Sequence, residues 1–213
     1  MKFKIMKKIK IPNLKASIYD LREYKEIIEP FCNLLLSDKN LYFLGPDDEK
    51  NKLNIWETYD SRIKLFESIL DYVIYDFLFT EHPKFQKKEK NFSLDKDSWL
   101  NTPSSWQGQR IHRHWQPFLR PDEIGDVTTV LYFKHDETIN MDNGCFEFYE
   151  NLKEDPLSHV WLPENLNPIY KYAPVPFTLI VMTSDVWHRA KPFTGERYSL
   201  ATDAKAFWEN SNV

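Results

Sequence analysis

The sequence predicts an α+β protein in which a helical N-terminal layer packs against a mainly β C-terminal core. Apolar residues of the first half recur at the period of a helix, whereas from about residue 98 short β-rich segments alternate with turn-forming clusters. Because no helical segment separates these strands, they suit an antiparallel sandwich or barrel. We expect residues 1–213 to form a single domain, with the helical layer over 1–97 and the β core over 98–206.

The N-terminal layer is predicted to contain an edge strand and two helices. In "MKFKIMKKIKI" apolar residues alternate with lysines, as they do in a half-exposed edge strand. Residues 19–36 carry apolar side chains at helical spacing, and Pro30 is expected to kink or split this helix. Residues 55–79 place apolar side chains, Ile55 and Tyr59 among them, on one broad face, which predicts a long second helix.

The C-terminal core is predicted from five short segments rich in β-branched and aromatic residues. Clusters typical of turns, such as "NMDNG" and "PFTGE", separate some of them. Side chains two residues apart on a strand point to the same face, so alternate residues of each segment lie on one face of the sheet. The five segments are residues 127–133, 145–149, 177–182, 186–190 and 197–203.

Charge and composition narrow the classes of partner. The net charge of −4 gives no indication of nucleic-acid binding. The five glycines form no phosphate-loop pattern, which argues against the binding of nucleotide phosphates by such a loop. No apolar run is long enough for a membrane span, and the N-terminus lacks the apolar region of a signal peptide. Cys32 and Cys145 are expected to be reduced structural thiols. We therefore expect a soluble cytoplasmic protein.

Two histidines in "GQRIHRHWQPF" and a third near the C-terminus indicate a metal site. His112 and His114 are two residues apart, so they project together from a strand. His188 precedes Arg197 by nine residues, with the turn "PFTGE" between two strand-like segments. Arg197 and Ser199 share a face of the second segment by the same alternation. This pattern places a metal ligand beside an arginine that can receive a carboxylate through two hydrogen bonds.

With these motifs, residues 98–206 resemble the Fe(II)- and 2-oxoglutarate-dependent oxygenases, and they are most similar to the prolyl-hydroxylase-like branch. His188 and Arg197 match the family's late motif, "RYSL" has its usual form, and "DVTTVLYFK" and "NGCFEFY" resemble two further strands in the right order. The resemblance implies a double-stranded β-helix, a jelly-roll or cupin-like barrel, as the core. It also implies Fe(II) and 2-oxoglutarate as cofactors, with Arg197, Ser199 and Tyr132 holding the far carboxylate of 2-oxoglutarate. The implied reaction hydroxylates an unactivated C–H of a small-molecule or peptide substrate and releases succinate and CO2.

The sequence departs from the family where its first motif, H-x-D, should supply a carboxylate ligand. We prefer His112, His114 and His188 as the ligands, because imidazole suits iron. Two alternatives stay open: His114 paired with Gln116, or the H-x-E formed by His135 and Glu137. The lost carboxylate also leaves open a non-catalytic β-helix binding module descended from such oxygenases. Three tryptophans flank these motifs, as pocket wall or as core: Trp106, Trp115 and Trp187.

Overall fold

Two antiparallel sheets form the centre of the fold, and two helices cover the larger one. The computed structural model describes residues 6–38, 41, 52–53, 55–81, 92–103, 110–114, 123–150 and 166–208. The strands are β1 (Lys7–Lys10), β2 (Ala16–Asp20), β3 (Lys52–Leu53), β4 (Phe92–Asn101), β5 (Glu123–His135), β6 (Phe146–Phe148), β7 (Tyr170–Tyr172), β8 (Thr178–Thr183), β9 (His188–Ala190) and β10 (Arg197–Trp208). The α-helices are α1 (Lys25–Ser37) and α2 (Ser61–Glu81), and a 3-10 helix (Arg22–Tyr24) precedes α1. Among the described residues, no helix has the length and apolar character that a membrane span requires.

The strand order shows a double-stranded β-helix. The large sheet has seven strands in the order β1-β2-β8-β5-β10-β4-β3, and the small sheet has three in the order β7-β6-β9. His112 adds to the small sheet, because its backbone pairs with that of His188 through two hydrogen bonds of 2.9 Å. The β-rich core and the fold class predicted from the sequence are confirmed.

Strand alternation divides the apolar side chains between two cores. In β8, Leu179 and Val181 pack toward the helices, whereas Ile180 and Met182 pack between the two sheets. Strand β5 follows the same rule, with Leu131 on the helix side. The large sheet therefore has two buried faces, and its inner face is available to carry a site.

The N-terminal part contributes more strand than the sequence pattern predicts. Strand β1 lies at one edge of the large sheet, as expected. However, β2, β3 and most of β4 also belong to residues 1–97 and join the same sheet, and β7 was not predicted either. The short all-buried run of β2 has no alternation, so periodicity alone does not distinguish it from helix. Its pairing with β1 on one side and β8 on the other makes it a strand.

Both predicted helices are present, but each begins later in the chain than the sequence pattern predicts. Helix α1 begins at Lys25, since Tyr19 and Asp20 belong to β2, and Pro30 lies inside it without splitting it. Helix α2 begins at Ser61 because Asp60 precedes it as an N-cap, its carboxylate accepting a 2.8 Å hydrogen bond from the backbone N–H of Arg62. The prediction that Tyr59 lies on the buried face was wrong, because Tyr59 precedes the helix and is 97% exposed.

A buried lysine attaches α2 to the large sheet. The Lys96 side chain of β4 is 5% exposed, and its Nζ lies 2.7 Å from a carboxylate oxygen of Glu67 and 2.7 Å from one of Asp71. The Nζ also lies 5.1 Å from the centre of the Trp56 ring. Burial raises the pKa of Asp71, an effect that the neighbouring Lys96 opposes. Lys96 is therefore the counter-charge that lets these acids lie against the sheet.

We expect Lys96→Ala to lower the free energy of unfolding by about 1–3 kcal/mol, because two partly buried carboxylates lose their shared counter-charge. Urea titration followed by circular dichroism measures the change. The control is Glu29→Ala, which removes the exposed Lys25–Glu29 pair and should change stability by less than about 0.5 kcal/mol. Equal effects of the two substitutions would contradict the assignment.

Candidate metal centre and carboxylate pocket

Three histidine side chains meet between the two sheets. His188 begins β9, and the segment 110–114 lies beside it, with the backbone N–H of His114 donating to the Ser184 carbonyl at 2.9 Å. One ring nitrogen from each of His112, His114 and His188 lies within 4.8 Å of the others. Across the part of the chain that the structure describes, this is the one group of three or more such side chains able to hold a metal ion.

Hydrogen bonds fix the tautomer of all three imidazoles. Each Nδ1 lies against an oxygen that can only accept, so Nδ1 carries the proton and the lone pair is on Nε2. The three pairs are His112 Nδ1 with Arg110 O at 2.8 Å, His188 Nδ1 with Val186 O at 2.9 Å, and His114 Nδ1 with an Asp203 carboxylate oxygen at 2.8 Å. This is the arrangement in which imidazoles bind a metal through Nε2.

Burial keeps two of these rings in the neutral, ligand-competent form. Burial, with a smaller contribution from His114, lowers the pKa of His112 to about 4. Burial also holds the pKa of His188 well below its ordinary value, and His112 and His114 act in the same direction. Because a metal competes with protons for these nitrogens, the lowered pKa values favour metal binding at neutral pH.

Arg197 provides a buried positive charge in the same cavity. It is 6% exposed, and one guanidinium nitrogen donates to the backbone carbonyls of Gly144 at 2.6 Å and Lys191 at 3.3 Å. Its guanidinium carbon lies 4.0 Å from the centre of the Phe193 ring. Among the described residues, no carboxylate forms an ion pair with Arg197. An arginine remains charged even when burial lowers its pKa, so this cation has charge to offer a ligand.

Tyr132 adds a second buried donor to the cavity. Its side chain is fully buried, and its hydroxyl has no hydrogen-bond partner among the described residues. Burial raises the pKa of Tyr132 to about 12, so the hydroxyl keeps its proton. Ser199 lies nearby, with its Oγ 3.4 Å from the side-chain nitrogen of Asn101. A buried cation beside an unpaired hydroxyl suits an anion with several acceptor oxygens, such as a carboxylate.

The structure brings all six predicted site residues to one cavity. The cavity lies between the sheets and is lined by the three histidines, Arg197, Ser199 and Tyr132. Phe146 stacks on the His188 ring, with centroids 5.3 Å apart, and forms part of the apolar wall. A candidate metal-ligand cluster and a candidate carboxylate receptor therefore line the same cavity.

Gly144 allows the chain to approach Arg197 closely. Its φ of +77° lies in the left-handed region, and a Cβ there would stand 2.9 Å from the Phe193 Cβ and 3.2 Å from an Arg197 guanidinium nitrogen. A larger residue would have to displace the side chains that form the receptor. The glycine of "NGCFEFY" is thus part of the site.

The H-x-E alternative is not part of this cluster. Glu137 is exposed and does not line the cavity. Asp136 holds the adjoining turn, since its carboxylate accepts hydrogen bonds from the backbone N–H groups of Thr138 and Glu196. The His135 Nδ1 lies 2.8 Å from the Asp136 carbonyl oxygen. Gln116 lies outside the described residues.

The tryptophan of the late motif belongs to the core. Trp187 is fully buried with Ile111 and Tyr149, and the Arg113 guanidinium carbon lies 4.6 Å from the centre of its ring. Residues 111 and 113 thus face away from the cavity, as strand alternation requires when 112 and 114 face it. Trp106 and Trp115 lie outside the described residues.

Asp203 is a site residue that the sequence analysis missed. Its carboxylate contacts the His114 ring, and it lies on β10 with Arg197 and Ser199, at positions separated by multiples of two. The signal was present in "RYSLATD", because the alternation that joined Arg197 to Ser199 extends to Asp203. Asp203 lies beyond the His188–Arg197 motif from which the site was predicted.

The two facing sheets, with a candidate metal centre between them, define a double-stranded β-helix. Solved structures with this fold include a prolyl-4-hydroxylase from Pseudomonas putida, which is 16% identical over 92% of this chain and 93% of that chain, with a TM-score of 0.54. A viral collagen prolyl hydroxylase from Paramecium Bursaria Chlorella virus-1, solved with 2-oxoglutarate, is 15% identical over 92% and 97% of the two chains, with a TM-score of 0.55. A Trichoplax adhaerens prolyl hydroxylase, solved with a peptide fragment of the hypoxia-inducible factor oxygen degradation domain, is 15% identical over 90% and 84%, with a TM-score of 0.55.

These similarities establish the fold. The sequence matches no protein-family model and no curated relative.

We expect the metal-free protein to lose stability as the pH falls from about 6.5 to about 4. The unfolded chain binds a proton at His112 near pH 6.5, whereas the folded chain binds it only near pH 4, so protons favour unfolding within this window. Between pH 7 and pH 5 the loss from His112 alone should be about 1–2 kcal/mol. Urea unfolding in a chelator, at both pH values, measures it. His112→Ala should show a correspondingly smaller loss, and an unchanged pH dependence in this variant would contradict the assignment.

Proposed function

We propose that the protein is an Fe(II)- and 2-oxoglutarate-dependent dioxygenase. It hydroxylates an unactivated C–H of its substrate and releases succinate and CO2. The observation that carries the proposal is the shared cavity, in which three neutral imidazoles lie near a buried arginine and an unpaired tyrosine hydroxyl. The similarity of fold to prolyl hydroxylases, one of them solved with 2-oxoglutarate, supports the same proposal.

The three histidines fit a metal that must keep open positions. His112, His114 and His188 would bind Fe(II) through Nε2, since each Nδ1 is already engaged. Three protein ligands would leave positions on the metal open to a co-substrate. When bound, the iron and 2-oxoglutarate supply the oxidising chemistry, and the protein supplies binding and orientation.

Arg197, Tyr132 and Ser199 fit the far carboxylate of 2-oxoglutarate. The guanidinium would offer hydrogen bonds that its two carbonyl contacts do not use, and the Tyr132 hydroxyl would gain the acceptor it lacks. Lys191 and Gly144 hold Arg197 from one side and Phe193 from another, so little conformational freedom is lost on binding. The receptor is therefore preorganised for a carboxylate.

The walls of the cavity would exclude water from the reacting groups. Phe146, Val130 and Ala190 line it between the polar ends, and both sheets bury apolar side chains around it. A dry cavity strengthens the charge interaction between Arg197 and a carboxylate. It also limits side reactions with solvent.

We propose a small-molecule or peptide substrate, in keeping with the peptide complex of the Trichoplax prolyl hydroxylase. Cys32 and Cys145 are both buried and unpaired, which suits the reducing cytoplasm proposed for this protein.

The alternative is a binding module of the same fold that retains ligands without turnover. The specific observation in its favour is that the three clustered ligands are all imidazoles, without a carboxylate among them. Succinate formation from 2-oxoglutarate, with added Fe(II) and a cell extract as substrate source, separates the two functions. Iron binding without any succinate, in the presence or absence of extract, would favour the module.

We expect Arg197→Ala to weaken 2-oxoglutarate binding by about ten- to several hundred-fold, because charge-assisted hydrogen bonds contribute roughly 1.5–3 kcal/mol. Arg197→Lys should recover only part of the affinity, since lysine lacks the planar fork. Anaerobic calorimetry with the metal-loaded protein measures both. Arg22→Ala, which removes an exposed arginine outside the cavity, is the control and should leave the affinity unchanged. Unchanged affinity in Arg197→Ala would refute the receptor.

We expect His112→Ala and His114→Ala each to weaken Fe(II) binding by more than about 100-fold, because each loses a direct ligand, and even the loss of a supporting partner costs about 10–100-fold. Glu137→Ala and Gln116→Ala should change the affinity less than about threefold. Anaerobic Fe(II) titration compares all four. Near-normal iron affinity in His112→Ala, with a large loss in Gln116→Ala or Glu137→Ala, would transfer the ligand role to that residue.

A further inference from the structure

A carboxylate lies directly behind one of the three candidate ligands. One oxygen of Asp203 is 2.8 Å from His114 Nδ1, and the other accepts a 2.8 Å hydrogen bond from the Thr128 hydroxyl. Asp203 and Thr128 are direct partners in the pairing of β10 with β5. The carboxylate is therefore held from both sides, by the inner face of the large sheet and by the ligand itself.

This contact distinguishes His114 from the other two imidazoles. His112 and His188 lie against backbone carbonyls, which are neutral, whereas His114 lies against a side chain that carries a full negative charge. A hydrogen bond to a charged acceptor is about twice as strong as one between neutral groups. It fixes the plane of the ring and increases the electron density available at Nε2.

We propose that Asp203 is a positioning residue that returns to the metal centre the negative charge missing from its ligands. The inference rests on the proposed function, in which the three histidines hold Fe(II). A facial site of two histidines and one carboxylate carries a charge of −1 from its ligands. Three neutral imidazoles carry no charge. His114 and Asp203 together restore a charge of −1, which lies farther from the metal by the width of one imidazole ring.

Strand β10 ties this role to the carboxylate receptor. Arg197, Ser199, Ala201 and Asp203 alternate along one face of the strand, and the first three line the cavity. The residues at the start of this inner face would bind the co-substrate, and Asp203, farther along the strand, would support the metal. Strand β10 pairs with β5 from Arg197 onward and with β4 from Ser199 onward, and this pairing sets the separation of Arg197 and Asp203.

The first test compares Asp203→Asn with the unaltered protein. Asparagine keeps the size of the side chain but removes the charge, so Co(II) and Fe(II) affinities should fall about 10–100-fold. The Fe(III)/Fe(II) midpoint potential of the bound iron should move to a more positive value, because the lost negative charge stabilised Fe(III) more than Fe(II). Asp203→Glu should recover part of both. The control is Asp95→Asn on β4, which removes an exposed charge from the same sheet and should change the affinity less than about twofold.

The second test asks whether Asp203 acts through His114. In the His114→Ala background, Asp203→Asn should lower Co(II) affinity by less than about threefold, since the ring that connects them is gone. Thr128→Val should weaken metal binding several-fold, and Thr128→Ser should not. Thr202→Val is the control, because its hydroxyl bonds Ser98 on the opposite face of β10.

The outcomes separate this inference from the proposed function. If the histidine variants lose metal but Asp203→Asn changes neither affinity nor potential, Asp203 has no positioning role. An undiminished effect of Asp203→Asn in the His114→Ala background would make Asp203 a ligand itself, which also overturns the inference. If the histidine variants bind metal normally, the proposed function fails first. Thermal melting of each metal-free variant verifies that it is folded.

Discussion

The reciprocal backbone hydrogen bonds between His112 and His188 are the contact on which the site depends. These two bonds attach the segment 110–114 to the small sheet and set its register against β9. Because side chains alternate along a strand, this register turns His112 and His114 toward His188 and sends Ile111 and Arg113 to the Trp187 side. A shift of one residue would exchange the two sets, burying an arginine in place of the imidazoles. The register of a single pair of residues thus decides whether the three imidazoles meet.

The polar groups buried in the cavity lower the stability of the unliganded fold. Arg197 is removed from water with two carbonyl contacts and no carboxylate among the described residues, and the Tyr132 hydroxyl has no partner there. Such groups destabilise an unliganded fold, because they lose their hydrogen bonds to water. A bound carboxylate would supply the missing hydrogen bonds, and the free energy gained would strengthen its binding. The same reasoning applies to His188, which burial keeps neutral and ready for a metal. The apolar residues of β5 and β8 on both faces of the large sheet compensate for these groups.

The supporting layer explains how a site of this kind stays rigid. Helix α2 packs on the outer face of the large sheet, and Lys96 joins it to β4, the strand that pairs with β10 along its whole length. On its inner face, β10 carries Arg197 and Asp203, the two charges at opposite ends of the site. The helix layer therefore supports, from behind, the strand that separates Arg197 from the candidate metal centre.

The parts of the protein that the sequence by itself determined are those governed by local spacing. The alternation of strand residues grouped His112 with His114 and Arg197 with Ser199, and the nine-residue separation across "PFTGE" connected His188 to Arg197. Helical period located α2, although the N-cap Asp60, which sets its true start, was overlooked. Only the tertiary structure decided the rest, since β2 and β7 are strands by virtue of their partners, and Glu137 is exposed on a turn outside the cavity. Asp203 meets His114 across 89 positions of sequence, through a sheet register that no local period encodes. Local pattern states which face a side chain occupies, but the pairing of distant strands determines which other side chain it meets there.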